Sequence, residues 1–375
     1  MATAAIGPGF ITQTTVFTGK LFTSFGFAIL ISILIDMVVQ LNIWRATAVS
    51  GVPAPEMVNE SLPGMGHLLT ILIAAGGLIF NIANMGGCGL AVFTLFGLPF
   101  KYGAAFSLLI AVGIFMVKEF GRALDAFAKF SGIIMILLMV FVVYQSMPPV
   151  GKMIQHSFLP EQMDLVVIIT LVGGTVGGYI SFAGAQRMLD SGTKGMERLH
   201  DVHRGAITGI LIAGLMRILL FAAVAGVVAT GAVLPGENPA AFVFEWSSGK
   251  WGRIIFGIIL WGASITSVVA SAYTSVSFLS TFSAVIIKHK RIFIIVFMLI
   301  STLIFILLGN PTKLLVMAGT INGFVLPVAL ACVLWAIYKS NKMKALLQPG
   351  WLFFSGWIIV VVLFFSGIAL FFKDS

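Results

Sequence analysis

The chain has 375 residues, 59% of them hydrophobic and only 9% charged, with a mean hydropathy of +1.09 and a formal net charge of +9. That usage excludes an ordinary soluble domain and a disordered chain, since neither carries so much apolar side chain with so little charge. The positive excess is spread over many short connections, so it reports membrane topology and no nucleic-acid partner is expected.

Apolar stretches of about 20 residues recur from end to end, each long enough to cross a hydrocarbon core of roughly 30 Å as a helix. Eleven crossings are predicted, with cores near 4–22, 25–49, 66–95, 101–117, 127–147, 164–189, 203–231, 251–285, 291–309, 311–338 and 351–371. The first opens with GPGFITQTTVFTGK, residues 7–20, where Gly and Pro precede Thr12, Gln13, Thr14, Thr15 and Thr18. Helix breakers beside hydroxyls inside an apolar run predict an unwound segment, and unwound backbone is tolerated in lipid only where it lines a cavity. The start MATAAIGPGF lacks the basic region of a signal peptide and is read as the beginning of this span.

The second span holds one deep acid, Asp36, and the third holds Asn81 and Asn84 in FNIANMGG. The sixth, LVGGTVGGYISFAGAQRMLD over 171–190, is the second Gly-interrupted span and presents Gly177, Gly178 and Tyr179. Arg217 lies near the centre of the seventh. The eighth carries Ser264, Thr266, Ser267, Ser271 and Thr274, most of which are expected to bond within their own helix. Asn322 lies in the tenth. Cys88 and Cys332 both fall in apolar spans, which predicts neither a disulfide framework nor a metal cluster.

Connections between spans are too short for a soluble domain, so function is expected inside the bilayer. Placed alternately on the two sides, the connections holding Arg45, Arg187, Lys194, Arg198, Arg204, Lys288, Lys290, Arg291, Lys339, Lys118, Arg122, Lys129, Lys342 and Lys344 are richer in positive charge. The opposite side has Lys20, Lys101, Lys152, Lys250, Arg253, Lys313 and Lys373. The bias predicts a cell-membrane protein with its N-terminus inside and its C-terminus outside. His200 and His203 are expected as solvated residues of an inner connection, and Asn59-Glu60-Ser61 is uninformative as an acceptor of sugar on that side. No nucleotide-binding loop or nucleophile-base pair occurs, so neither an enzyme nor a cofactor is expected.

The two interrupted spans lie five spans apart, the spacing of an inverted five-helix repeat in which paired broken helices form a midplane site. The expected division is 1–147 for the first repeat, 163–338 for the second and 351–371 for an extra helix. Small residues at helix contacts would explain either segment alone, but their symmetric placement favours a site.

Several of these stretches resemble the NRAMP family of proton-coupled divalent metal transporters over nearly the whole chain. NPTKLLVMAGTINGFVLPVAL, residues 310–330, is similar to the family's tenth span, FGIILWGASITSVV, 256–269, to its eighth, and IAGLMRILLFAA, 212–223, to its seventh. QLNIWRATAVSG, 40–51, FGRALDAF, 120–127, and the opening GPGF complete the likeness. The resemblance implies an all-α polytopic membrane protein of LeuT-like fold, in the APC superfamily. It has an inverted 5+5 repeat plus one helix, eleven transmembrane helices, and helices one and six broken.

The resemblance also shows what is missing. Family members hold metal with Asp-Pro-Gly-Asn in span one, Met-Pro-His in span six and a Gln in span ten. Counted from GPGF, the first motif falls on Thr18, Gly19, Lys20 and Leu21. The second falls on Gly177, Gly178 and Tyr179, a further His on Gly184, the Gln on Gly319, and the span-three acidic pair on Asn81 and Asn84. Transition metals need carboxylate, imidazole or sulfur donors to offset their dehydration, and hydroxyls with carbonyls supply little of that.

Arg217 occupies a place where the family shows an Asn near its metal. A mid-membrane arginine costs at least about 2.5–3.5 kcal/mol, so it needs a partner or a cavity. It would repel a cation, while its planar fork of donors suits a carboxylate. Alternatively it pairs with Asp36, which is itself open to a second role as a proton carrier. Lys20 adds a coupling or ion-pair candidate near the end of span one.

The reading is a secondary transporter of a small carboxylate solute, lined by Thr12, Gln13, Thr14, Thr15, Thr18, Gly177, Gly178, Tyr179 and Asn322 and anchored by Arg217. Its partners are a small-molecule or ion substrate and the lipid bilayer, and no metal site is expected. Within the branch carrying GPGF and GGTVGGY the resemblance points to 5-oxoproline. The rivals are a divalent metal transporter of the Mg or Mn type and a non-transporting sensor on the same fold.

Overall fold

The computed structural model describes residues 7–117, 120–340 and 349–373, and every regular element in them is helical. Residues 4–6 of the first predicted span and the basic residues Lys118, Lys342 and Lys344 lie outside them. In chain order the helices are α1 (Pro8–Leu21), α2 (Phe25–Ser50), α3 (Ala54–Ser61), α4 (Met65–Phe96), α5 (Phe100–Met116), α6 (Phe120–Ser146), α7 (Val150–Phe158), α8 (Leu165–Thr175), α9 (Ile180–Asp190), α10 (Leu199–Ala229), α11 (Pro239–Ser280), α12 (Ala284–Lys288), α13 (Lys290–Leu308), α14 (Pro311–Lys339) and α15 (Gly350–Lys373). Nine helical stretches among the described residues are long and apolar enough to cross a membrane, and α5, at 17 residues, is a shorter one. One of the nine, Pro8–Ser50, runs 43 residues and holds α1 and α2, so the set accommodates all eleven predicted crossings.

Local sequence explains where the helices begin and stop. Asp164 caps α8, accepting from the backbone N–H of Val166 at 2.9 Å and Val167 at 3.3 Å. Asn310 caps α14, accepting from Lys313 N–H at 3.0 Å, with Pro311 at the first helical position where no N–H is needed. Gly309, in the left-handed region at φ 72, ends α13 and turns the chain into that cap. Elsewhere the chain turns by kinking. The predicted eighth span sits in the 42-residue α11, which is interrupted at Gly249 (φ 58, ψ −149), so Pro239–Ser248 is an arm ahead of the span proper.

Span one departs from expectation. The hydroxyl-rich stretch is not unwound: Pro8–Leu21 is one continuous α-helix. Thr14, Thr15 and Thr18 donate to the carbonyls of Phe10, Ile11 and Thr14, at 2.8, 2.9 and 2.7 Å, so their hydroxyls are satisfied inside their own helix. The non-helical backbone lies at the ends of α1 instead, at Gly7 (φ −57, ψ 153) and at Phe22 (φ 46, ψ −125), where a short 3₁₀ turn joins α1 to α2. Thr18 to Leu21 therefore cannot be a broken-helix motif. Span six does break as predicted, α8 ending at Thr175 and α9 starting at Ile180.

The interior is built on α4 lying along α11, α14 on α8, and α10 on α2. Glycines set the closeness of the second contact: a Cβ at Gly173 would collide with the backbone of Gly319 and Gly323, which has no side chain to give way. Around this interior, apolar side chains such as Ile71, Leu109, Leu137, Leu307 and Phe365 face outward, the surface a bilayer would cover. Helix α15 packs on α14 and α2 at the rim.

Candidate functional site

Two groups of polar residues are buried around the break in span six. The first is on the side of α4, α11 and α14. Gly178 donates its N–H to the Asn322 carbonyl at 3.0 Å, tying the unwound segment to α14. The Asn322 side chain donates to Ala318 O at 3.0 Å and Gly76 O at 3.3 Å, leaving its Oδ1 without a partner. Tyr179 is buried with its Cβ against Gly76 and its ring against Gly77, 5.9 Å from the Phe80 ring, and Thr274 of α11 is near its hydroxyl. It therefore faces α4 and α11. Asn81, also buried, donates to Val268 O and Ser271 Oγ at 2.8 Å each, acting as a clamp between α4 and α11.

The second group lies where α1, α2, α8 and α10 meet. Arg217 on α10 is only 2% exposed, and its guanidinium sits 4.5 Å from the centroid of the Phe10 ring, in the first turn of α1. Its Nε and Nη2 have no hydrogen-bond partner. Asp36 on α2 is 1% exposed and also lacks a partner at Oδ1, with the Thr175 side chain at the end of α8 as a near neighbour. The two charges feel each other, yet they do not form an ion pair within 4 Å. The permanent pairing of Arg217 with Asp36 is thus absent.

Gln13 joins the two groups. Its Nε2 donates to Leu315 O at 3.0 Å, while its Oε1 lies against Gly174 without a partner. A Cβ at Gly319 would collide with the Gln13 amide. The space above Gly319 is thus filled by the Gln13 amide from α1. Thr12 is buried in α1 alongside. Lys20 is remote from all of this: it is an exposed residue at the far end of α1, bonded to Asp164 Oδ2 at 2.6 Å. Burial alone would raise the Asp164 pKa, but the Lys20 hydrogen bond and the N–H groups of Val167 and Val166 outweigh it and hold the carboxyl below its ordinary value.

Sequence reasoning missed Phe10 and Thr175, the neighbours of Arg217 and Asp36. The signal for Phe10 was present, as the last residue of GPGF. It also read His203 as a solvated loop residue, whereas His203 is in α10 and in hydrogen-bond contact through Nε2 with Nη1 of buried Arg45. Trp44 Nε1 donates to Ser181 O at 3.0 Å beside that contact, tying α2 to α9. Among the described residues no three His, Cys, Asp or Glu side chains gather as metal ligands.

Comparison with known proteins settles the ancestry. Residues 1–373 match the model of the natural resistance-associated macrophage protein-like (Nramp) family. The chain belongs to the Nramp family. This Nramp chain is 50% identical over 368 residues to the membrane protein YcsG of Bacillus subtilis (strain 168), covering 98% of the chain and 91% of YcsG. It is 48% identical over 363 residues to a membrane protein of Haemophilus influenzae Rd, covering 97% and 91%. Among solved structures, a mutant form of the manganese transporter of Eremococcus coleocola superposes with a TM-score of 0.71 at 15% identity, over 97% of this chain and 83% of that one. Mhp1, a nucleobase-cation-symport-1 family transporter, superposes at 0.58 with 15% identity, over 100% and 92%. Fold and family make this Nramp protein a multi-pass membrane protein of the transporter type.

Proposed function

We propose that this Nramp protein moves a small carboxylate solute across the cell membrane by alternating access, with its N-terminus inside and its C-terminus outside. The observation that carries the reading is Arg217: a guanidinium buried to 2% exposure, stacked on Phe10, with Nε and Nη2 unpartnered. An unpaired buried cation is costly, and a bidentate carboxylate supplies both the charge and the acceptors that those donors lack.

The head of α1 reinforces that preference. Gly7 provides no side-chain cap, so the N–H groups of the first turn and the positive end of the helix dipole lie beside Phe10 and Arg217. In this reading the anion docks at Gly7 to Phe10 and not along Thr14 to Thr18, where the hydroxyls of Thr14, Thr15 and Thr18 serve their own helix. It also suggests a better register for the family motif: the Pro-Gly of Asp-Pro-Gly-Asn coincides with Pro8-Gly9, and the ligand positions become Gly7 and Phe10. Neither can bind metal through a side chain.

In this reading the repeats span 1–147 and 163–338, and 351–371 is the added helix. Support comes from corresponding details: a helix start at Pro8 and a break at 176–179, and a short helix between spans two and three (α3) matched by the Pro239–Ser248 arm between seven and eight. Gly177, Gly178, Tyr179 and Asn322 then act as the moving joint against α14 and α4, with Gln13 as its polar contact to α1. Among solutes, 5-oxoproline is the favoured test ligand.

The rival is a divalent ion, which the family and the manganese transporter fold neighbour argue for. A buried arginine is a poor neighbour for such an ion. The purified protein is tested by thermal shift with 5-oxoproline, proline, dicarboxylates, Mn and Mg. An upward shift with an acid that disappears in Arg217→Ala is expected. A shift with a metal and none with any acid would reverse the assignment.

A further inference from the structure

We infer that Asp36 is a proton site linked to the Arg217 site, so that each carboxylate bound takes up one proton and the loaded carrier is electroneutral at its centre. The inference rests on the carboxylate reading above and adds the coupling ion and its stoichiometry.

The argument is charge balance. Among the described residues, Arg217 and Asp36 are the two charged groups at the junction of α1, α2, α8 and α10, both buried, both within each other's field, and each with an unpartnered atom. In the proposed cycle Asp36 is ionised in the empty carrier, so that one positive and one negative charge cancel at a distance. When a solute carboxylate docks on the guanidinium, the junction holds two negative charges and one positive in a low-dielectric setting. The second negative charge has lost its compensating partner to the first. Protonation of Asp36 removes the excess: the proton adds to a carboxylate oxygen, forming an O–H bond. The Thr175 hydroxyl already donates to Leu171 O at 2.7 Å, so its oxygen remains an acceptor for that O–H.

Other charged groups on the elements packed against α2 lie toward the membrane ends. On one side these are Lys152 and His156 on α7, the latter bonded through Nδ1 to Thr23 at 2.7 Å, and Lys20 on α1, paired with Asp164 at the head of α8. On the opposite side they are Glu56 and Glu60 on α3, Arg187 and Asp190 on α9, Glu197 and Arg198 in the turn before α10, His200, Asp201, His203 and Arg204 at the start of α10, where Asp201 pairs with Arg198, and Lys339 ending α14; Lys313 opens α14. Arg45 on α2 itself contacts His203. None of these is the charged partner acting on Asp36, which is Arg217. The span-three positions through which the family resemblance implies proton movement are Asn81 and Asn84, amides that do not titrate, so a proton needs another acceptor here.

The test is calorimetry of 5-oxoproline binding to the purified full chain in two buffers of different ionisation enthalpy near neutral pH. Uptake of about one proton per solute is expected, with affinity falling about tenfold per pH unit above the Asp36 titration. Asp36→Asn is expected to bind 5-oxoproline with no proton uptake and with affinity independent of pH, since Arg217 is then permanently unopposed. Binding to the native protein without proton uptake, or uptake that survives Asp36→Asn, overturns the inference and leaves the carboxylate reading standing. No binding of 5-oxoproline or any other acid in the panel overturns both. Should Asp36→Asn fail to fold, uptake by the native protein in liposomes decides: an inward proton gradient is expected to drive it and a potassium-valinomycin potential to leave its rate unchanged, and a rate that follows the potential refutes the inference.

Discussion

Arg217 matters because its guanidinium keeps its charge, cannot reach water, and has donors with no acceptor among the neighbouring side chains. Arg217→Ala should therefore abolish the acid-induced thermal shift. Arg217→Lys should keep a point charge without the fork, and weaken acid binding by about tenfold or more in a titration. Because Arg217→Ala leaves Asp36 uncompensated, Arg217→Met combined with Asp36→Asn is the informative control: it removes both charges, and is expected to fold as well as the native protein while binding no acid. The sequence made Arg217 and Asp36 visible as charges in apolar spans, and it left open whether they touch. Only their spatial relation showed two separated, half-satisfied charges, because one helix turn of register on either α2 or α10 would decide it. Phe10 was unread for a related reason: an aromatic in an apolar run carries no sign of which cation stands over it.

Helix packing and helix ends account for most of the rest. Gly173 is the tightest small-residue contact between α8 and α14, and Gly173→Ala is expected to destabilise by about 1–3 kcal/mol, read as a lower thermal midpoint, since backbone must move to admit the methyl. Gly113→Ala in α5, where a Cβ meets nothing within 4 Å, should be neutral or mildly stabilising. At the start of α8, Asp164 is held below its ordinary pKa when folded, so its contribution is present at neutral pH, above the unfolded value, and is lost as pH falls through the folded value. With the Lys20 side chain 59% exposed, the ion pair adds no more than about 0.2–1 kcal/mol. The cap itself contributes about 1 kcal/mol, so Asp164→Asn, which keeps a capping oxygen, should flatten the acid limb of a stability-pH profile with little loss at neutral pH. The break at Gly177-Gly178 and most span limits were readable from residue type alone, while the caps Asp164 and Asn310 went unread. The continuity of α1 was not, because Thr in mid-helix and Thr in an unwound loop look the same until the acceptor of each hydroxyl is known.

At the scale of the whole molecule, the eleven-helix architecture followed from hydropathy and charge bias, while the kinked arm Pro239–Ser248 and α3 did not, being too short and polar to register as crossings. The larger point is what stands at the core of this Nramp chain: Gln13 reaches across to cover Gly319, Tyr179 packs against Gly77, and Arg217 and Asp36 are buried with donors and an acceptor left unpartnered. On the proposed reading, a chain that keeps the family's frame with an arginine buried at its centre carries an anion. The direct measurement is uptake into proteoliposomes of labelled 5-oxoproline and of Mn side by side, with the native chain and Arg217→Ala. The account predicts saturable 5-oxoproline uptake that is lost in Arg217→Ala, and no Mn uptake above protein-free liposomes. Saturable Mn uptake by the native chain without any uptake of the acid would contradict it.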